Sequence, residues 1–256
     1  MNLHHLGLAD PEGNVLELSA RIAPEPRDPV RAVIFDLDGT LIDSEPNYFK
    51  ADQQLMARFG IPYTKADHRR YLGSSSLAMV EDLVARHRLP ADPRALAEEK
   101  NALYLAIAEH ATVVYPEMRR FLEKVTACGL PVAVASGSAL EVIRRLVRAV
   151  GLDGVFAHLV SADEVAAGKP APDVFLEAAR RLGVPPVNCL AVEDSEPGVE
   201  SARRAGMRCI AVPTFPDATL APAFAMADLL CADGMASFDP DRAWAWVQGL
   251  GAPAAS

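Results

Sequence analysis

Short apolar runs alternate with amphipathic segments along most of the second half of the chain. The runs with the length of buried strands are Leu130–Ala135, Val155–Val160, Cys189–Val192 and Arg208–Val212, and an earlier one ends at Phe35. Segments with a helical period separate each of the later strands from the next. Strands that alternate with helices in this way predict right-handed βαβ units. We therefore predict an α/β fold whose core is a doubly wound, mostly parallel, Rossmann-like sheet.

The helical segments of this half lie between the strands and after them. Their predicted ranges are Pro116–Cys128, Ala139–Val150, Ala171–Leu182, Gly198–Ala205 and Asp241–Gln248, with an edge strand near Leu229–Leu230. Helices in such positions cover both faces of a parallel sheet, which agrees with the continuous apolar character of the strands.

The stretch between the first strand and Tyr115 shows helical periodicity only. The helices predicted there are Asn47–Phe59, Lys65–Tyr71, Ser75–His87 and Pro93–His110. Ser44 precedes Pro46 at the start of the first of these helices, so we expect Ser44 to provide the N-cap oxygen. An insert of this length is too long for a loop. We therefore predict a small helical cap domain, called the cap below.

These patterns divide the chain into three parts. Residues 1–30 end in a proline-rich stretch with flanking charges, and we predict a tail or linker there that is not part of the fold. The core domain is predicted to combine residues 31–44 with residues 115–250. The cap is predicted to comprise residues 45–114.

Composition and charge exclude some classes of partner. The chain of 256 residues is 50% hydrophobic and 23% charged, which is ordinary for a folded domain. Its formal net charge of -9 argues against a nucleic-acid partner and against binding to an anionic membrane surface. A small phosphorylated substrate stays possible, because a local cationic pocket and a metal can offset the overall field. The histidines are scattered without the spacing of metal ligands.

The cysteines and the apolar stretches bear on location. None of the four cysteines belongs to a CxxC pair, and Cys189 and Cys209 lie in strand-like runs, where a thiol behaves as a small hydrophobe. This usage suits a reducing compartment. No apolar stretch is long enough for a transmembrane helix, and the N-terminus lacks the pattern of a signal peptide. We therefore expect a cytoplasmic protein that is a monomer or a weak dimer.

Two acids stand where the first apolar run ends, in the sequence Asp36-Leu37-Asp38-Gly39-Thr40. Alternating side chains would direct both acids to one side of the strand, at the end where open α/β sheets bind ligands. Such a pair can bind a divalent metal, and one of its members can act as a nucleophile. A strand followed by a simple Asp-Gly turn explains the same residues equally well.

Further polar residues follow later strands or precede a helix. Ser136 and Gly137 follow a strand and open a helix, where an anion can bind. Lys169 also precedes a helix, a position that is unfavourable for a cation unless an anion lies there. Glu193 and Asp194 end another strand and offer oxygen ligands for Mg²⁺. Each feature taken alone is explained by an N-cap or an exposed loop, but their coincidence at one edge of the sheet favours a single site.

This ordered set of motifs resembles the haloacid dehalogenase superfamily of phosphotransferases. The resemblance rests on Asp36-Leu37-Asp38-Gly39-Thr40, Ser136, Lys169 and Glu193-Asp194-Ser195, and it extends from about Val30 to Val212. The helical insert is similar to that of the subgroup that contains β-phosphoglucomutase and the small sugar-phosphate phosphatases.

The resemblance implies a role for each motif residue. Asp36 would attack the phosphoryl group to form an aspartyl-phosphate, and Asp38 would protonate the leaving oxygen and later activate water. The implied phosphate-binding residues are Thr40, Ser136, Gly137 and Lys169. The implied ligands of Mg²⁺ are Asp36, the carbonyl of Asp38, Asp194 and Glu193. Asp38 also argues against dehalogenation, because a halide leaves without protonation.

The cap residues bear on the choice between hydrolase and mutase. Where β-phosphoglucomutase carries a histidine and an arginine, this chain has Tyr48 and Ser76, with Ser74 in the same loop. A mutase must hold a second phosphate, and serine replaces a bidentate arginine poorly. Lys100 matches a lysine of the mutase cap, although a solvated helix lysine explains it as well. We list Tyr48, Ser74, Ser76 and Lys100 as candidate substrate contacts.

The sequence therefore predicts a Mg²⁺-dependent phosphatase acting on a small phosphorylated metabolite, a sugar or sugar-alcohol phosphate. The alternative is a β-phosphoglucomutase-like isomerase. A third hypothesis is a non-catalytic metabolite-binding module, whose mark would be the loss of Asp36 or Asp38, and both are present.

Overall fold

Six parallel strands form the centre of the fold. The computed structural model describes residues 6–9, 15–18, 29–71, 74–215 and 221–252. In chain order the strands are β1 (Leu6–Ala9), β2 (Val15–Leu18), β3 (Ala32–Phe35), β4 (Val132–Ser136), β5 (His158–Ser161), β6 (Cys189–Glu193), β7 (Arg208–Ala211) and β8 (Leu229–Leu230). The main sheet has the order β5-β4-β3-β6-β7-β8, and every pairing in it is parallel. This confirms the predicted α/β fold.

Helices cover the sheet and form the insert. Those between β3 and β4 are α1 (Glu45–Ala57), α2 (Lys65–Arg70), α3 (Ser76–His87), α4 (Pro93–Ala111) and α5 (Pro116–Ala127). The later ones are α6 (Leu140–Ala149), α7 (Asp173–Leu182), α8 (Glu196–Arg204) and α9 (Pro240–Gly249). Short 3₁₀ turns occur at Ala162–Glu164, Pro186–Asn188, Pro222–Met226 and Gly234–Ser237.

The central strand β3 shows why the sheet is covered on both faces. Its successive side chains point to opposite faces, and all of them are fully buried. Val33 and Phe35 join the apolar cluster that includes α5, α6 and α9, whereas Ala32 and Ile34 join the cluster of α7 and α8. Phe35 meets Phe121 of α5 edge to face, with ring centroids 6.1 Å apart. A buried parallel strand of this kind needs apolar residues at every position, as the sequence has them.

Three helices of the insert, α1, α3 and α4, share an apolar cluster of their own. It contains Leu55 and Met56 of α1, Met79 and Leu83 of α3, and Leu96 of α4. Tyr104 of α4 joins the core cluster beneath instead, so the last helix of the insert is anchored to the sheet domain. The domain limits predicted from the sequence stay our proposal for the boundary between cap and core.

The structure corrects the N-cap predicted at Ser44. The side chain of Ser44 makes no capping hydrogen bond, and α1 begins at Glu45. Ser44 has φ −96° and ψ −21°, a helical conformation, whereas a capping residue normally has an extended one.

Two strands begin later than predicted. β4 starts at Val132 rather than Leu130, because Pro131 has no amide hydrogen to donate, although its carbonyl accepts a bond of 3.1 Å from the amide of Val33. β5 starts at His158 rather than Val155, since residues 151–155 form a turn after α6.

The predicted tail is described only in part. β1 and β2 pair with each other in a separate antiparallel sheet, and the rest of residues 1–28 lies outside the described residues. No helix in the described ranges combines the length and the apolar character needed to cross a bilayer.

Gly39 should be far less tolerant of a side chain than another glycine of similar backbone conformation. Gly39 has φ +78°, and a Cβ there would collide with the carboxylate of Asp194 and the hydroxyl of Thr214. Gly60 has φ +68° but open space around it. We expect Gly60→Ala to lower the free energy of unfolding by about 1 kcal/mol and Gly39→Ala by about 3 kcal/mol. Urea unfolding measures both, and equal losses would contradict the steric argument.

Candidate active site

Chain topology brings the polar residues of several strand ends to one edge of the sheet. Asp36 directly follows β3, Ser136 ends β4 and Glu193 ends β6. Because these strands are parallel and adjacent, with Phe35 aligned with both Val134 and Val192, their carboxyl ends lie side by side. This is the edge at which open α/β sheets bind ligands.

Three buried acids form the centre of the site. Asp36, Glu193 and Asp194 each offer a carboxylate oxygen, and these oxygens lie within 4.8 Å of one another. Lys169, whose side chain is 3% exposed, places its Nζ 2.5 Å from Asp36 Oδ1 and 2.5 Å from Glu193 Oε1. One lysine against three carboxylates leaves a negative excess in a region from which water is largely removed.

The backbone and nearby hydroxyls fix two of these acids. Glu193 accepts bonds from the amides of Asp194 (3.0 Å) and Ser195 (3.1 Å) at the start of α8. Asp194 accepts a bond of 3.2 Å from the hydroxyl of Thr40 and another from Thr214. These hydrogen bonds hold the two carboxylates in place.

Burial raises the pKa values of two of these acids, Asp36 and Asp194. Desolvation raises the pKa of Asp36 above its usual range, aided by the charges of Glu193 and Asp38 and opposed by Lys169. Burial, together with the charges of Asp36 and Glu193, also raises the pKa of Asp194. A hard divalent cation with oxygen ligands, such as Mg²⁺, would relieve this repulsion, and the donor set fits such an ion.

Asp38 lies apart from this cluster, among hydroxyl groups. Its Oδ2 accepts a bond of 2.8 Å from Ser138 Oγ, and its Oδ1 accepts one of 3.3 Å from the hydroxyl of Tyr104. Weaker contacts come from Ser136 at 3.4 Å and Tyr48 at 3.5 Å. Burial raises the pKa of Asp38, although the hydrogen bond from Ser138 acts in the opposite direction. Asp38 therefore retains a proton more readily than an exposed aspartate does.

The residues predicted to bind phosphate divide into two groups. Ser136, Gly137 and Lys169 line the cleft. Thr40 is fully buried, and its hydroxyl donates to Asp194. The structure therefore places Thr40 behind the acid cluster, where it orients a carboxylate.

The predicted cap residues line the opposite side of the same cleft. Tyr48, Ser74, Ser76 and Lys100 all contribute to it, and the cleft with its open mouth has a volume of about 670 Å³. The hydroxyl of Ser76 donates to Asn101 at 2.7 Å. Lys100 is only 4% exposed, so the interpretation as a solvated lysine is wrong.

The structure adds charged cleft residues that the sequence analysis missed. His68 lies between Glu45 Oε2, 2.6 Å from its Nε2, and Asp52 Oδ2, 3.2 Å from its Nδ1. Asp52 also pairs with Lys100 at 3.2 Å. The sequence carried one signal for them, because Glu45, Tyr48 and Asp52 have the i, i+3, i+7 spacing of one helix face.

Tyr104 and Ser138 were missed for a different reason. Their hydroxyls bond Asp38 only because the cap and the loop after β4 meet above β3. The rings of Tyr48 and Tyr104 are stacked with centroids 3.7 Å apart and an interplanar angle of 4°. Both rings therefore approach Asp38 as one unit.

The comparisons with known proteins agree with this geometry. Residues 30–206 match the family model described as haloacid dehalogenase-like hydrolase. Fructose-1-phosphate phosphatase YqaB of Escherichia coli is 33% identical over 180 residues, which cover 70% of this chain and 95% of the relative. Hexitol phosphatase B of the same organism is 34% identical over 202 residues, covering 78% and 90%.

A solved structure shows the same overall arrangement. A mutant of CbbY from Rhodobacter sphaeroides in complex with xylulose-(1,5)bisphosphate superposes with a TM-score of 0.72 at 26% identity. The match covers 82% of this chain and 99% of CbbY.

The paired histidine predicts a pH dependence of stability. Burial disfavours a charged ring, but the hydrogen bonds and charges of Asp52 and Glu45 outweigh it and raise the pKa of His68 from 6.5 to about 9. Protonation therefore stabilises the folded state, fully below pH 6.5, and the contribution declines until it is lost above about pH 9. We expect the stability difference between wild type and His68→Asn to shrink by about 3 kcal/mol across this window.

Urea unfolding at a series of pH values measures this difference. His87→Asn, which changes an exposed histidine on α3, is the matched control and should show no such trend. A difference for His68→Asn that is independent of pH would contradict the pairing.

Proposed function

The chain belongs to the haloacid dehalogenase-like hydrolases and is a phosphoric monoester hydrolase, and we propose that it acts on a sugar or sugar-alcohol phosphate through an aspartyl-phosphate on Asp36. The proposed substrate follows from the names of two relatives, a fructose-1-phosphate phosphatase and a hexitol phosphatase, and we carry it over to the cleft of this chain. A cytoplasmic location stays a prediction.

One observation carries the proposed mechanism: the two aspartates that follow β3 lie in different surroundings. Asp36 meets Lys169 and the other buried acids, whereas Asp38 meets hydroxyl groups. Two carboxyl groups with such separate environments can take different roles in one reaction. A carboxylate whose charge is paired with a lysine suits a nucleophile, and a carboxyl group with a raised pKa and only hydroxyl partners suits a general acid.

The reaction has two steps on the residues of this chain. A carboxylate oxygen of Asp36 attacks phosphorus, the bond to the leaving oxygen breaks, and Asp38 gives its proton to that oxygen. Asp38 then takes a proton from water, which attacks the phosphorus of the aspartyl-phosphate and regenerates Asp36. Ser136, the amide of Gly137 and Lys169 bind the phosphoryl oxygens during both steps.

The buried acids would also hold the metal. Asp36, Glu193, Asp194 and the main-chain carbonyl of Asp38 are the residues that we assign to Mg²⁺, because three carboxylates around one lysine leave an excess of negative charge. When bound, Mg²⁺ would neutralise part of the negative charge on the transferring phosphoryl group. Phosphate release that persists in excess chelator would contradict this assignment.

The direct test is phosphate release by the purified protein with Mg²⁺ from fructose 1-phosphate and from hexitol phosphates. We expect Asp36→Asn to lower the rate by about a thousandfold or more, since the nucleophile is lost. Asp153→Asn, which changes an exposed aspartate, is the control and should leave the rate unchanged. Conversion of β-glucose 1-phosphate to glucose 6-phosphate faster than phosphate release would favour the alternative, a mutase.

The hydroxyl of Tyr104 should matter most for substrates whose leaving group needs a proton. Tyr104→Phe removes the bond to Asp38 Oδ1. We expect kcat/KM for fructose 1-phosphate to fall about tenfold, because Asp38 is less well positioned as an acid. The value for p-nitrophenyl phosphate should change little, since nitrophenolate leaves without protonation.

Tyr115→Phe is the matched control for this measurement, because its hydroxyl bonds Asp43 rather than Asp38. It should leave the ratio of the two kcat/KM values at the wild-type level. If Tyr104→Phe lowers both values equally, Tyr104 has a structural role only.

A further inference from the structure

The cap side of the cleft contains four charged side chains that pair with one another. Glu45, Asp52, His68 and Lys100, called the cap charge cluster, all line the cleft. Asp52 bridges Lys100 Nζ and His68 Nδ1, each at 3.2 Å, and His68 Nε2 lies 2.6 Å from Glu45 Oε2. Two acids therefore meet two basic groups in a continuous chain.

The pairing is largely shielded from bulk water. The side chains of Asp52 and Lys100 are 1% and 4% exposed, and those of His68 and Glu45 are 11% and 18% exposed. Charges in such surroundings are weakly screened and interact strongly with their nearest partners. The Nζ of Lys100 also lies 4.6 Å from the centre of the Tyr48 ring, which restricts its movement further.

The net charge of the cap charge cluster is zero when His68 is protonated. Among the described residues that line the cleft, the remaining basic side chain is Lys169, which lies in the core beside Asp36. The cap side therefore presents no cation whose charge is left uncompensated among those residues. A phosphate dianion placed there would have to compete with Asp52 for Lys100 and would lie close to two carboxylates.

A part of the substrate that carries only hydroxyl groups would not meet this electrostatic conflict. Carboxylates accept hydrogen bonds from sugar hydroxyls, and the exposed loop residue Ser74 adds a neutral donor and acceptor at the same cleft. The half of the cleft away from Asp36 thus favours neutral polar groups over a second anion.

We propose that the cap charge cluster selects substrates with a single phosphate and a neutral, hydroxyl-bearing remainder, and that it rejects bisphosphates. This inference rests on the proposed phosphatase activity and adds that substrates with a second phosphate are excluded. Asp52 is the residue that determines the selection, because it compensates Lys100 and also bonds His68. Specificity of this kind comes from repulsion of the wrong ligand as much as from attraction of the right one.

The test compares fructose 1-phosphate with fructose 1,6-bisphosphate, by kcat/KM for phosphate release in the presence of Mg²⁺. We expect wild type to prefer the monophosphate by about a hundredfold, and Asp52→Asn to reduce this ratio by about tenfold because Lys100 becomes available to the second phosphate. Glu45→Gln, at a less buried position, should reduce the ratio by about threefold. If Asp52→Asn does not fold, Glu45→Gln still tests the proposal.

Glu98→Gln is the matched control. It removes one acidic charge from the exposed face of α4, the helix that carries Lys100, and should leave the ratio unchanged. Similar wild-type values for the two substrates would overturn the selection while leaving the phosphatase activity in place. Equal losses for both substrates in Asp52→Asn and Glu45→Gln would assign these residues a structural role and also overturn it. No phosphate release from either substrate would overturn the proposed function together with this inference.

Discussion

The contact of Lys169 with two buried acids is the constraint around which the site is built. Asp36 and Glu193 come from adjacent strands, and their carboxylates would repel each other in a region without water. The Nζ of Lys169, 2.5 Å from each, offsets part of that repulsion but leaves Asp194 uncompensated. The remaining negative charge favours a further cation at this centre, and a bound cation would in turn attract phosphoryl oxygens.

Asp38 connects this centre with the cap. Its carboxylate meets Ser138 from the loop after β4 and Tyr104 from α4, so the sheet and the helical insert both contribute to its orientation. Tyr104 is itself fully buried in the core cluster, which anchors α4 above the sheet. The position of the proposed acid thus depends on how the cap packs, in contrast to Asp36, whose neighbours all belong to the core.

Much of the fold could be predicted because its signals are local. Buried parallel strands are continuous apolar runs, and the amphipathic period of the helices between them fixes their order. The predictions were wrong where neighbouring residues or the backbone conformation overrode a local sequence rule. Pro131 shortens β4 because it lacks an amide hydrogen, and Ser44 adopts a helical conformation in which its hydroxyl does not cap α1.

The sequence by itself determined the α/β fold and the grouping of the acids and the serine at the strand ends, because parallel strands bring their carboxyl ends to one edge. The tertiary structure decided which of the motif residues face the cleft and which, like Thr40, support it from behind. It also decided the pairing of Asp52 with His68 and Lys100. Those residues come from three different helices, and no periodicity within one helix predicts which charges on separate helices will meet when the helices pack.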